Sequence, residues 1–406
     1  MSEPYTVAYL VKVEPGHNNN KFWKAVSKGD HFDVEYGRVG GTAQTYSYPI
    51  SRWSAKYREK IAKGYVDRTE LVADLIEKQK PATSDGYREI ENRAIAEIVE
   101  RLQSMAKKAV AENYTISSSK VTMAMVAKAQ EQLGKMAAMA AATVEEFNRA
   151  LIELFGIIPR KMGNVSSYIA TKPEDFGKIL EREQDLLDVM RGQVYVPPEH
   201  PLPSPEAEDK GFTILEEKGL VFEEADDHDI LVIKAALGSC ADKFVRAWRV
   251  KNLATQEKFD AYVKDGGVKT KLLWHGSRNE NWWSIVGSGL VLRPTNAVIT
   301  GKMFGYGIYF ATKARKSLGY TSLSGSYWAH GSSSSAFMGL YEVAYGKPYD
   351  VYSFDSKFYN LNYEGLQRMC PGANCLHAHE GQMLRNDEII VYQECQTTIK
   401  YLVELK

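Results

Sequence analysis

The chain has 406 residues, with 51 Lys and Arg balanced by 51 Asp and Glu. That length leaves room for two or three globular domains, and the zero formal charge argues against a uniformly basic nucleic-acid binder while leaving local basic patches open. Four scattered cysteines at 240, 370, 375 and 395 exclude a disulfide framework. The N-terminus has no signal-peptide pattern and no run nears the ~18 apolar residues of a membrane span, so the expectation is an intracellular, reducing compartment with no membrane partner.

In chain order, residues 5 to 70 carry short alternating runs, Tyr5 to Val13, His31 to Val39 and Thr45 to Pro49, separated by Asn-rich and Gly-rich turns. They predict a small β-sheet unit. It closes with an amphipathic helix from Trp53 to Lys63, bearing Lys56, Arg58, Lys60 and Lys63. Eleven basic against eight acidic residues over residues 1 to 70 matter only if one face gathers them. A linker follows to about residue 88. Four amphipathic helices are then predicted: Asn92 to Glu112, Lys120 to Met139, one opening at Glu145 behind the capping box Thr143-Val-Glu-Glu146, and Pro173 to Met190. Their short connections predict a bundle.

Five prolines between Tyr195 and Pro205 mark the next boundary. Beyond it, β-type runs recur at Phe212 to Leu215, Leu220 to Glu223, Phe244 to Val250, Lys271 to Trp274, Phe337 to Tyr345, Glu388 to Tyr392 and Thr398 to Leu405. Short helices are expected at Asp229 to Leu237 and Glu280 to Gly287. Many strands with few helices predict an antiparallel-rich α+β domain. Ser332 to Ser335 reads as a hairpin tip.

The densest stretch is Lys271 to Tyr320. A buried strand ends in His275-Gly276-Ser277, a Trp-rich helix follows, and Gly305-Tyr-Gly307-Ile-Tyr309-Phe-Ala leads to a basic helix ending in Tyr320. Gly276 lets backbone approach a partner that a side chain would block. A dinucleotide-binding Rossmann fingerprint fails here, because Phe310 occupies the third glycine position and the glycines precede a strand. Further on, Glu388 opens the apolar strand Ile389 to Tyr392, a place from which a carboxylate can answer the positive charge of glycosyl transfer. Strand alternation points Asp387 to the other face.

These three motifs resemble, in order and spacing, the NAD-binding signature of the poly(ADP-ribose) polymerases. The resemblance implies NAD+ as substrate and His275, Tyr309 and Glu388 as catalytic residues. His275 would bind the adenosine ribose; Gly276 and Ser317 would hold the nicotinamide carboxamide; Tyr309 and Tyr320 would sandwich the ring, with Lys316 alongside. Ser277 and Asn281 match adenosine-side positions, and Arg293 follows Val291, which replaces the family's basic residue. The four-helix segment is similar to the family's regulatory helical domain, where Asp188 falls at an acidic position facing the adenosine side and the helices block NAD until DNA loosens them. The segment with Lys21 and Glu35-Tyr36-Gly37-Arg38 resembles the WGR domain, with Tyr36 in place of its Trp. Tyr36 would stack on an exposed base or sugar, Arg38 would bind a 5′-phosphate, and Lys21, Lys56, Lys60, Lys63 and Tyr65 would complete a DNA interface.

The resulting expectation is a multidomain α+β chain. It comprises a WGR-like domain at 1–72, a linker at 73–88, a helical regulatory domain at 89–196, a Pro-rich linker at 197–211 and an ADP-ribosyltransferase domain at 212–406. The family implies a DNA-break-activated polymerase of the DNA damage response, monomeric when free, modifying protein acceptors including itself, and nuclear in a eukaryote or in the cytoplasm and nucleoid of a bacterium. Cys370, Cys375, His377 and His379 offer zinc-ligand chemistry, but pairs separated by one residue differ from common structural sites, and no metal is expected.

Overall fold

A computed structural model describes residues 7–69, 87–114, 121–139, 141–194, 211–292, 303–327, 329–381 and 384–406. The chain divides into two compact units. One holds the described residues within 1–83 and 107–194, the other those within 84–106, 195–295 and 301–406.

The first unit begins with five strands, β1 (Val7–Glu14), β2 (Asn19–Ser27), β3 (His31–Arg38), β4 (Gln44–Pro49) and β5 (Val66–Asp67). They form an antiparallel sheet in the order β4-β3-β2-β1-β5. Period-two alternation sends Ala8, Leu10, Trp23, Ala25, Phe32 and Val34 to one face, where Trp53 at the start of α1 (Trp53–Ala62) covers them. The Phe32 and Trp53 rings meet edge to face at 5.0 Å. Helix α2 (Arg93–Asn113) is divided between the units, after residue 106. Its first half groups with the second unit, where Arg101 donates to Glu404 at 2.5 Å and to Ser335 at 2.7 Å.

Three further helices complete the first unit: α3 (Met123–Ala137), α4 (Val144–Ile157) and α5 (Asp175–Val194). Thr122 caps α3, and the capping box expected at Thr143 and Glu146 opens α4. α3 packs on both α4 and α5, and Phe147 stacks on Phe176 with centroids 3.9 Å apart. Within this core the Arg160 and Glu183 side chains are each 2% exposed, with Nε and Oε2 3.2 Å apart.

The second unit adds α6 (Ile214–Glu217), β6 (Leu220–Glu224), α7 (Asp227–Leu237), β7 (Phe244–Asn252), α8 (Leu253–Gly266), β8 (Thr270–Gly276), α9 (Trp282–Ser288), β9 (Ile308–Ala311) and α10 (Ala314–Leu318). After them come β10 (Ala336–Ala344), β11 (Pro348–Val351), α11 (Tyr363–Met369), β12 (Cys375–Ala378), β13 (Glu388–Val391) and β14 (Thr397–Leu405). The nine strands form one mixed sheet, β11-β12-β13-β9-β8-β10-β14-β7-β6, in which only β11 and β12 run parallel. Three expectations are corrected. Phe212 to Leu215 is no strand: Thr213 and Glu216 form a capping box that opens α6. Helices α8 and α11 were not expected at all. Ser332 to Ser335 is tied in, through a Leu323–Ser333 bridge and the Ser335 carbonyl, which accepts from Asn279 at 3.0 Å. Among the described residues no helix is long and apolar enough to cross a membrane.

Candidate active site

The sheet order places β13, β9 and β8 side by side, so side chains far apart in sequence meet at their ends. Glu388 pairs in register with Ala311, and Ala311 with Trp274, the residue before His275. Behind this junction lies α10. A Cβ on Gly276 would collide with the Ser317 carbonyl, so only glycine admits the helix this close to β8. Buried Ser317 donates its hydroxyl to the Trp274 carbonyl at 3.0 Å. One residue earlier on α10, Lys316 forms an ion pair with Glu388, and both side chains are nearly buried, at 13% and 11% exposure.

The glycine loop before β9 is fixed in a similar way. Gly305 has φ +73°, and a Cβ there would meet the Leu361 backbone. Tyr309 donates to the Gly305 carbonyl at 3.0 Å and accepts from the Phe304 N–H at 3.0 Å, which locks its ring into the loop it follows. Burial pushes its phenol far above the ordinary range, so Tyr309 is a neutral ring at any physiological pH. His275 Nδ1 lies 3.0 Å from the Tyr309 carbonyl, and its ring packs edge-on against both Phe310 and Tyr341. Tyr320, 40% exposed, bonds through its N–H to the Ser317 carbonyl at 3.0 Å.

On the other side of His275, Asn281 donates to Ser277 Oγ at 3.0 Å, leaving its buried Oδ1 without a hydrogen-bond partner. An orphaned acceptor beside a serine hydroxyl fits a polar ligand. Sequence reading missed Asn279, whose backbone N–H donates to the Ser322 hydroxyl and whose side-chain Nδ2 donates to the Ser335 carbonyl, while its Oδ1 accepts from the Phe337 N–H. Nothing local marks it, because all three partners come from later in the chain. Arg293 lies outside the described residues. Asp188 belongs to the first unit, on α5, where Gln184 donates to it at 2.9 Å.

The residues expected at a DNA interface also lie in the first unit. Lys60 sits over the rings of Tyr36 and Tyr65, at 5.6 and 5.4 Å, and partial burial lowers its pKa. Lys56 and Lys63 both engage Glu59, at 3.0 and 2.6 Å, so their charge is shared within the helix. Lys21 pairs with Arg38 across β2 and β3. Arg38 does not stand ready for a phosphate. Its terminal nitrogens donate to the Asn18 carbonyl (2.7 Å) and side chain (3.1 Å) and to the carbonyls of Met162 (3.1 Å) and Gly163 (2.8 Å). Asn18, in the left-handed region at φ 48°, shapes the turn that receives it.

Glu388 stands at the joint of three strands beside an ammonium, a locked tyrosine and a strand end cleared by glycine, a place from which a carboxylate could answer the positive charge of glycosyl transfer. Comparisons with known proteins agree with that class. Residues 233–406 match the poly(ADP-ribose) polymerase catalytic domain, and residues 6–72 match the WGR domain. The chain is 32% identical over 168 residues to a poly(ADP-ribose) polymerase-like protein, 100L, of Invertebrate iridescent virus 6, covering 40% of this chain and 87% of that one. It is 32% identical over 186 residues to protein 101L of the same virus, covering 46% and 76%. Human poly(ADP-ribose) polymerase 2 is 32% identical over 162 residues, 33% of this chain and 26% of that relative. The chain belongs to the poly(ADP-ribose) polymerase family. It is an ADP-ribosyltransferase with NAD+ as substrate.

Proposed function

We propose that this protein builds poly(ADP-ribose) on protein acceptors, itself included, and that broken DNA ends switch it on. The observation that carries the reading is the meeting of Glu388 with Lys316, one residue from Ser317, where α10 presses on Gly276. In the proposed reaction the nicotinamide–ribose bond breaks, nicotinamide leaves with the bonding electrons, and the ribose gains oxocarbenium character. Glu388 accepts a hydrogen bond from the ribose 2′-hydroxyl and polarises the incoming hydroxyl, whose oxygen forms the new bond as its proton is lost. Tyr309 and Tyr320 flank the nicotinamide ring. The Gly276 backbone and Ser317 hold its carboxamide, while His275, Ser277 and Asn281 take the adenosine side; the unpaired Asn281 Oδ1 supports that placement.

The DNA-facing surface in this reading comprises Tyr36, Lys60 and Tyr65, with Lys21, Lys56 and Lys63 around them. Arg38 takes a different part: it ties the WGR-like sheet to the 162–163 turn, so DNA binding at the sheet can be felt by the helices. Those helices form the regulatory bundle, and DNA and NAD+ favour the same loosened state.

Incubation with labelled NAD+, with and without nicked DNA, tests the reading. A ladder of modified protein that requires DNA is expected. A single sharp adduct would mean mono-ADP-ribosylation instead, and DNA-independent turnover would remove the switch. Arg38→Ala should abolish the DNA response, and hydrogen exchange over residues 121–194 should quicken when DNA is added. Activation by truncation needs care. A chain starting near Gln193 loses Arg101 and its bonds to Glu404 and Ser335, so the deletion that frees the enzyme must retain residues 87–106.

A further inference from the structure

Asp350, His377 and His379 gather on the sheet near its β11 edge. Strand alternation puts His377 and His379 on one face of β12 and its extension, and the parallel register sets Asp350 of β11 directly beside His377. The His379 N–H donates to the Val351 carbonyl at 2.9 Å, which continues the pairing past the strand end. One ligand atom from each of the three lies within 4.8 Å of the others. His379 Nε2 is 2.7 Å and His377 Nδ1 3.7 Å from Asp350 Oδ1. In a tetrahedral zinc site, ligand atoms stand about 3.3 Å apart. The two imidazoles are stacked with centroids 3.8 Å apart, so closing on an ion requires the more exposed His379 ring to turn out of the stack.

The surroundings favour a ligand set over a plain hydrogen-bonded cluster. His377 Nε2 lies 3.0 Å from Asp387 Oδ2, and Asp387 is itself fixed by the Glu380 N–H at 2.7 Å. A carboxylate holding the remote nitrogen of an imidazole sets the tautomer that leaves Nδ1 a lone pair for a metal. Asp350 and Asp387 supply two negative charges against Lys271, whose ammonium sits over the Tyr345 ring at 3.4 Å. The Tyr345 hydroxyl lies 2.9 Å from His377 Nδ1, a contact that an ion bound by that nitrogen would displace. The cysteines stand apart from the cluster: Cys375 is buried and its thiol contacts the Tyr345 carbonyl at 3.3 Å.

We infer that Asp350, His377 and His379 form a three-ligand binding site for a divalent transition-metal ion, zinc being the fitting choice. Two imidazoles and one carboxylate suit zinc and exclude the hard magnesium and calcium ions, which prefer all-oxygen sites. The ion would sit on the face opposite Glu388, since Asp387 and Glu388 alternate, and would brace the β11–β12–β13 end from which Glu388 projects.

The test uses the full chain, stripped with a chelator and titrated with ZnCl2 against a chromophoric competitor, then with CoCl2 for its visible spectrum. One equivalent of zinc per chain is expected, with cobalt bands of low coordination and no thiolate charge-transfer band. His379→Gln and Asp350→Asn, both at exposed or half-exposed positions, should each weaken zinc about 100-fold or more. Asp387→Asn should cost about 10- to 100-fold through the imidazole it orients. Cys375→Ser should leave affinity unchanged. Failure to bind stoichiometrically at micromolar zinc, equal affinity in His379→Gln, or a thiolate band would each overturn the assignment.

Discussion

Each unit buries an ion pair, and the two pairs differ in what surrounds them. In the first unit Arg160 is held from several sides: its guanidinium reaches Glu183, donates to the Asn113 carbonyl at 3.0 Å and lies over the rings of Tyr114 and Tyr168. Its own carbonyl accepts from Asn20 at 2.8 Å, and Arg182 gives Glu183 a second cation at 2.8 Å. In the second unit Lys316 and Glu388 meet where three strands end, beside a wall cleared by Gly276. Arg160 therefore acts as a fastener, whereas the Lys316–Glu388 contact is the one proposed to be shared with substrate hydroxyls. Burial and charge alone do not tell the two pairs apart; the groups around each partner do.

Substitutions at each pair sharpen the contrast. Arg160→Met leaves Glu183 short of a partner in the helical core and should destabilise the first unit by about 3 kcal/mol in urea unfolding. Replacing both members by apolar residues should restore most of that loss, and a double variant as unstable as the single would show that packing, not charge, is the cause. Glu388→Gln should do the reverse. Transfer from labelled NAD+ should fall at least about 100-fold, near 3 kcal/mol of transition-state stabilisation, with unfolding little changed. Wild-type polymer length in this variant would refute the assignment of Glu388.

A third buried acid tests the fastener idea inside the enzyme unit. Burial acts to raise the Glu404 pKa, but its bonds to Arg246 and Arg101 outweigh this and hold it below 4.5. A depressed carboxylate stabilises the fold fully above its unfolded value and loses that contribution as pH falls through its folded one. Glu404→Gln should therefore cost about 2 kcal/mol at pH 7, with the gap to the parent closing as pH falls below the ordinary glutamate range in acid-titrated melting curves. A pH-independent gap would mean that shape, not charge, matters there. The smallest effect is expected at Tyr320, which is 40% exposed: Tyr320→Ala should weaken a nicotinamide-like inhibitor by about 1 kcal/mol, read by calorimetry. Unchanged affinity would remove Tyr320 from the ring site.

Local patterns read well where one face of an element carries the information. The Thr143 capping box, the alternation from His31 to Val39 and the strand opening at Glu388 were all legible, whereas the strand through Trp23 and Ala25 was not read. Thr213-Ile-Leu-Glu216 carried the same capping signature as Thr143 but was hidden by its β-favouring Phe, Thr and Ile. Helix α8 escaped because Phe259 is the only one of its residues that is buried, so it shows no apolar period.

What the sequence determined by itself was the set of residues proposed to serve chemistry: His275, the glycines, Tyr309, Lys316, Ser317, Tyr320 and Glu388. Their types and spacing can be read along the chain, from the backbone conformations they permit and from the charge that the proposed reaction would develop. The tertiary structure alone decided which of them touch. Lys316 meets Glu388 because β13 and β9 are neighbours, Arg38 turns to the 162–163 carbonyls in place of a phosphate, and Asp350, not a cysteine, joins the two histidines. Each partnership spans more than twenty residues, and such pairings depend on strand order and packing, which periodicity along the chain does not encode.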